Sequence, residues 1–178
     1  MNKIKNDIIR YSKKLNVTNL SALRSGNISV RAKENGVEGF YITPSGMKYS
    51  SLKPKDIVFV SLKGVYDKKK GKPSSEWRFH QDIYVNKKEA RTIVHAHSTC
   101  ATAVSTHQKN IPAFHYMVAV AGGEDIKCAK YATFGTKNLS NNIIKALKNR
   151  SACLIANHGQ VAFGENLDNT FELAQEIE

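Results

Sequence analysis

Thr92-Ile93-Val94-His95-Ala96-His97 reads as a β-strand that runs straight into a polar stretch, and two of its last three residues are histidines. Residues i and i+2 of a strand point to one face, so His95 and His97 can present two imidazoles to a single metal ion. An H-x-H pair alone is equally open to a reading as core or surface histidines. A third candidate, His158 in Ala156-Asn157-His158-Gly159, follows another apolar run, Ala152-Cys153-Leu154-Ile155-Ala156, and abuts a glycine that permits a tight turn. Three nitrogens from two strand ends match the open three-ligand pattern of catalytic zinc, which leaves a coordination position for substrate.

Further strands surround this one. Ile28-Ser29-Val30-Arg31-Ala32 alternates after Ser25-Gly26-Asn27, and Phe40-Tyr41-Ile42-Thr43 closes on Pro44-Ser45-Gly46, together a hairpin signal. Asp56–Leu62 reads as another strand, ended by Lys63-Gly64, and Val161-Ala162-Phe163 as the hairpin partner of 152–156. Helices are expected over about 3–15, where apolar residues recur at i, i+4, i+5 and i+7, over about 75–87, and over Thr99–Thr106. Two more are expected around Ile143–Leu147 and from Leu167 onward, still running at Glu178. Strands in mostly antiparallel succession with helices between them predict a layered α/β/α domain with a largely antiparallel central sheet.

The chain has 178 residues, 41% of them hydrophobic and 24% charged, which fits one compact folded unit of roughly 100–200 residues and excludes a disordered, collagenous or coiled-coil chain. No apolar run reaches the roughly 20 residues needed to span a bilayer, and the polar start Met1–Asp7 lacks a signal peptide's apolar centre, so a cytoplasmic setting without membrane partners is expected. The net charge of +12 raises nucleic acid as a partner, but the lysines are spread along the chain. Their one cluster, Lys68, Lys69, Lys70 and Lys72 around Gly71, reads as a solvated loop, and no nucleic-acid motif accompanies it. Cys100, Cys128 and Cys153 fit neither a disulfide framework nor a zinc knuckle and are expected to be buried small hydrophobes.

Metal chemistry also needs a carboxylate that moves protons and a cradle for an anion. Pro73-Ser74-Ser75-Glu76 has the chemistry of a helix start, where free N–H groups and the hydroxyls of Ser74 and Ser75 can hold phosphate beside Glu76. It serves equally as an ordinary cap. Gly26-Asn27 and Ser45-Gly46 are small-polar turns of the kind that lets backbone N–H groups approach an anion.

Taken together, Ser25–Arg31, Ile42–Gly46, Pro73-Ser74-Ser75-Glu76-Trp77-Arg78-Phe79-His80, Val94–His97 and Asn157-His158-Gly159 occur in the order seen in the class II aldolase/adducin family. Ile111–Met117 and Tyr131–Thr136 resemble the sugar-phosphate aldolases of that family, and the likeness runs from about residue 20 to 178. The resemblance implies one zinc ion per subunit held by His95, His97 and His158. Glu76 is then the proton shuttle and a further ligand before substrate arrives. It implies a substrate-phosphate pocket at Gly26, Asn27, Ser45, Gly46, Ser74 and Ser75, with no lysine required. Tyr116, reaching in from a neighbouring subunit, stands where the aldolases carry their proton donor, and Phe134 where the aldehyde pocket is shaped.

The expected activity is cleavage of a ketose 1-phosphate, L-fuculose 1-phosphate or a similar sugar, to dihydroxyacetone phosphate and a small aldehyde such as L-lactaldehyde. A pentulose-phosphate 4-epimerase or other lyase on the same metal site is the alternative, although Glu76 in Ser-Ser-Glu-Trp-Arg resembles the aldolases more. A non-catalytic adducin-like scaffold is the second alternative, and it has no need of three histidines and an acid. The resemblance also implies a cyclic (C4) homotetramer with active sites between subunits. Residues 1–178 form one family domain in this reading, and aldolases of this type run on by a C-terminal tail that this chain lacks.

Overall fold

The computed structural model describes residues 2–178, and in it seven strands form one sheet in the order β3-β2-β1-β4-β7-β6-β5. Strand β1 spans Asn27–Glu34, β2 Val37–Ile42, β3 Val58–Ser61, β4 Thr92–Ala96, β5 Cys128–Ala129, β6 Ala152–Ile155 and β7 Gly159–Gly164. Every neighbouring pair is antiparallel except β5 with β6, so the expected largely antiparallel sheet is what the chain builds. Helices α1 (Asn2–Val17), α2 (Trp77–Asn86), α3 (Thr99–Ser105), α4 (Lys137–Ala146) and α5 (Leu167–Ile177) cover its faces.

Strand alternation assigns each face its layer. Val94 and Ala96 of β4, Leu154 of β6 and Ala162 of β7 point to one side, where they bury Ile8, Tyr11 and Leu15 of α1 and Phe171, Ala174 and Ile177 of α5. Ile93, Cys153, Ile155, Val161 and Phe163 point to the other, against Phe79, Ile83 and Tyr84 of α2 and Leu139 and Ile143 of α4. The α/β/α layering follows from this two-sided burial. Being an odd-numbered residue of β4, His95 falls on the α2 side, where its ring meets Phe79 edge-on with centroids 5.4 Å apart.

The boundaries differ from expectation in understandable ways. Pro54–Asp56 form a 3-10 turn, so the strand expected over Asp56–Leu62 pairs only over Val58–Ser61. Helix α2 starts at Trp77 rather than near residue 75, with Glu76 as its half-helical first cap. Of the cysteines only Cys153, inside an apolar strand, is buried; Cys100 is exposed in α3 and Cys128 is partly covered on an edge strand. The expectation of three buried thiols is thus wrong for two, because neither of those two lies in an apolar run. The Lys68–Lys70 loop is exposed. Among the described residues no helix is long and apolar enough to cross a membrane.

Candidate metal centre and anion cradle

Three segments meet at the end of the sheet. Strand β4 delivers His95 and, one step past its end, His97; the β6–β7 turn, with Asn157 at φ 56°, delivers His158; and the first cap of α2 delivers Glu76. One ligand atom from each of Glu76, His95, His97 and His158 lies within 4.8 Å of all the others. The His95 and His97 Nε2 atoms are 2.9 Å apart, His95 Nε2 is 3.1 Å from Glu76 Oε2, and His158 Nε2 is 3.2 Å from Glu76 Oε1. Only 6% of Glu76 is exposed, and none of His95.

The donor chemistry of this cluster fits a cation at its centre. His95 donates its Nδ1–H to the Gln160 carbonyl at 2.7 Å, so a neutral ring turns its Nε2 lone pair inward, the orientation that such a backbone bond gives metal-ligating histidines. Glu76 Oε1 is buried without a hydrogen bond despite its nearness to His158. Ligand atoms of a tetrahedral zinc site with bonds of about 2.0–2.1 Å are roughly 3.4 Å apart, close to the spacings found here.

Burial alone would raise the Glu76 carboxyl, but the adjacent His95 and His158 outweigh it and hold the group well below the usual carboxylate range. Burial alone would lower His95, and Glu76 outweighs that to raise it. Burial and the like-charged neighbours His95 and His158 push His97 down to about 3. The four side chains therefore favour a positive charge placed among them rather than on several rings at once.

Glu76 is anchored from below. Asn27, the first residue of β1 and the register partner of His95, donates through Nδ2 to Glu76 Oε2 and to Ser74 Oγ, both at 3.0 Å. Ser74 Oγ also accepts the Glu76 N–H at 3.3 Å, which leaves its own proton free to donate outward. A cavity of about 390 Å³ opens above these groups, lined by Gly26, Asn27, Ser45, Gly46, Ser74, Ser75, Glu76, His97, His158 and Phe134 among others. The turns of Gly26 and Gly46 both have left-handed backbone, φ 79° and 74°.

Of the site residues singled out in the sequence, all but His95 and Tyr116 line this cavity, and His95 lies buried behind it in contact with Glu76 and His97. Tyr116 sits 79% exposed at the start of a 3-10 turn, Tyr116–Ala121, outside that lining. The sequence reading missed Arg24, the one lysine or arginine in the lining, whose Nη1 donates to Gly46 O at 3.0 Å and so bridges the two glycine turns. An exposed arginine in a turn carries no signal of its own; only its place two residues before Gly26 could have drawn notice. His80 is fully buried beneath the site, and burial followed by nearby His95 lowers it to about 3.

Comparison with known proteins places the chain in a family. Residues 6–178 match the family described as Class II Aldolase and Adducin N-terminal domain. The chain is 42% identical over 175 residues to the 5-methylthioribulose-1-phosphate/5-deoxyribulose-1-phosphate aldolase of Rhodospirillum rubrum, covering 98% of this chain and 77% of that protein. It is 43% identical over 177 residues to the L-fuculose phosphate aldolase of Escherichia coli, covering 99% and 80%. A solved L-fuculose 1-phosphate aldolase superposes with a TM-score of 0.91 at 40% identity, covering 99% of this chain and 82% of that one. With that fold, and with an acid among three histidines at the mouth of a glycine- and serine-lined cavity, the chain belongs to the class II aldolase and adducin N-terminal domain family.

Proposed function

We propose that the protein is a zinc-dependent aldolase that reversibly cleaves a short ketose 1-phosphate, L-fuculose 1-phosphate or a similar deoxyketose, to dihydroxyacetone phosphate and a small aldehyde such as L-lactaldehyde. The observation that carries this reading is the placement of a buried carboxylate, Glu76, between three histidines and the floor of the anion cradle. His95, His97 and His158 would hold the ion, with Glu76 as a further ligand. The bound ion supplies Lewis acidity, polarising the substrate carbonyl and stabilising the negative charge left as the carbon–carbon bond breaks.

The rest falls to the chain's own groups. Gly26, Asn27, Ser45, Gly46, Ser74 and Ser75 hold the phosphate through hydroxyls and turn N–H groups. The outward-facing hydroxyl proton of Ser74 is one such donor. In cleavage, Glu76 delivers a proton to the carbon that loses its bond to the aldehyde fragment, and in condensation it removes that proton. Tyr116 of a neighbouring subunit takes the hydroxyl proton of the departing aldehyde, and Phe134, at the cavity mouth, shapes the space that aldehyde fills. Tyr116 is exposed and lies outside its own chain's cavity, free to reach a neighbouring subunit's site. The reading takes the protein as a C4 homotetramer of single-domain subunits in the cytoplasm.

The test is release of dihydroxyacetone phosphate, followed in a coupled assay, from L-fuculose 1-phosphate and from 5-deoxyribulose 1-phosphate. It is run before and after chelation and with zinc restored. Cleavage of either that zinc restores supports the reading; a zinc-loaded protein that cleaves neither refutes it. Normal turnover by zinc-bound Glu76→Gln would remove the shuttle role.

A further inference from the structure

Glu76 Oε2 can only accept hydrogen bonds, and this fixes the direction of every bond behind it. Asn27 must present its NH2 to Glu76, so its Oδ1 faces the other way, toward His80 Nε2, with which it pairs. That pairing requires the proton to be on Nε2. His80 Nδ1 is then an acceptor, and the Ser29 hydroxyl, 2.7 Å away, must donate to it. Ser29 Oγ in turn accepts from the Tyr84 hydroxyl at 2.8 Å. Ser29 and His80 are fully buried and Tyr84 and Asn27 almost so. The imidazole is sandwiched as well, stacked on Phe79 with centroids 4.6 Å apart and on Phe40 at 6.5 Å.

We propose that His80 is a positioning residue, which with Ser29 behind it locks the Asn27 amide so that the amide donates to Glu76 and holds its carboxylate toward the three histidines. Were the His80 donor lost, the buried Asn27 Oδ1 would be left without a partner and the amide would be held from the Glu76 side alone, so that its Nδ2 could shift off the carboxylate. A buried amide oxygen without a partner is costly enough to pull the side chain toward another donor. The chain crosses from β1 to α2 and back, so it also ties the first cap of α2 to the sheet. The reading rests on the function proposed above only for the role of Glu76 in turnover; the hold on the carboxylate is independent of substrate.

The test compares His80→Phe, which keeps an aromatic ring but neither polar group, with His80→Gln, whose amide keeps both a donor for Asn27 and an acceptor for Ser29. Zinc affinity of the metal-free protein is measured against a competing chelator, along with kcat, KM and Tm. His80→Phe is expected to weaken zinc about tenfold and lower kcat about tenfold with KM within twofold, and His80→Gln to return both to within threefold of the parent. Ser29→Ala, which touches neither Asn27 nor Glu76, should shift both in the same direction as His80→Phe by about threefold.

Parental zinc affinity in His80→Phe overturns the proposal, as does a His80→Gln protein no better than His80→Phe. So does a fall in Tm alone with zinc affinity and kcat untouched. If His80→Phe does not fold, His80→Gln and Ser29→Ala decide, since parental zinc affinity in Ser29→Ala also overturns it. Failure of the aldolase reading would show separately, as a parent that binds zinc and cleaves no ketose phosphate.

Discussion

Alanine at Gly26 and at Gly46 separates backbone strain from displacement of the metal centre. The two glycines have nearly the same φ, 79° and 74°, so an L side chain pays a similar conformational penalty at each, roughly 1–2 kcal/mol. Their surroundings differ. A Cβ at Gly46 meets nothing within 4 Å, whereas at Gly26 it would lie 2.6 Å from His95 O and 2.6 Å from Ser21 Oγ. Restoring an ordinary contact of 3.4 Å requires those atoms to give way by 3.4 − 2.6 = 0.8 Å. Ser21 is almost fully buried and its hydroxyl accepts the His97 N–H at 3.0 Å, so both obstacles belong to the strand end that carries the histidines. Forcing atoms into a packed region typically costs about 1–3 kcal/mol. Gly26→Ala is therefore expected to be less stable than Gly46→Ala by roughly 2 kcal/mol, or about 4–8 °C in Tm for a chain of this size. It should also bind zinc more weakly, while Gly46→Ala keeps the parental affinity. Thermal melts of the metal-loaded and chelated proteins and a zinc titration measure both. Equal losses of stability, or a zinc site untouched in Gly26→Ala, would refute the argument that the Gly26 turn is packed against the ligands.

Adding zinc at about 100 times its Kd to the chelated protein should raise Tm by roughly 5–10 °C, because binding at that level stabilises the folded state by about 2.7 kcal/mol; a melt that zinc leaves in place would count against Glu76, His95, His97 and His158 as ligands. Arg24→Gln, which removes the one arginine in the cavity lining, is expected to raise KM for a phosphorylated ketose about fivefold at low salt, as an exposed charge contact of about 1 kcal/mol implies, with kcat unchanged and the difference shrinking as salt is added. An unchanged KM would place the Arg24 guanidinium outside the anion cradle. Native protein treated with a thiol reagent should modify Cys100 first and Cys153 only on unfolding, since Cys153 is fully buried and burial pushes its thiol up. Reaction of every thiol at one rate under native conditions would contradict that burial.

What could be read from the chain and what could not divide along sequence distance. Alternation in Ile28–Ala32 and Phe40–Thr43, the apolar run 152–156 and the caps around residue 75 each lie within a few neighbours, and the strands and helices they specify all form. The grouping of the three histidines was legible for a similar reason. His95 and His97 share a face through strand geometry alone, and Gly159 marks the turn that exposes His158. The two-residue β5 was not legible, because Cys128-Ala129 is too short to show any period. Nor was the buried chain from Tyr84 through Ser29, His80 and Asn27 to Glu76. Its bonds join residues 49 to 55 positions apart, and they exist only because β1 lies beside β4 with Asn27 opposite His95. A serine on an alternating strand reads as a solvent-facing residue, and only the arrival of α2 over that face turns Ser29 inward into the core. The same placement explains why Glu76 is oriented at all: its two oxygens are divided between His158 on one side and His95 and Asn27 on the other. The identity of the candidate ligands is thus a local property of the chain, whereas their geometry belongs to the packing of α2 against the sheet. Substitutions along that interface should consequently act on the metal centre without touching it.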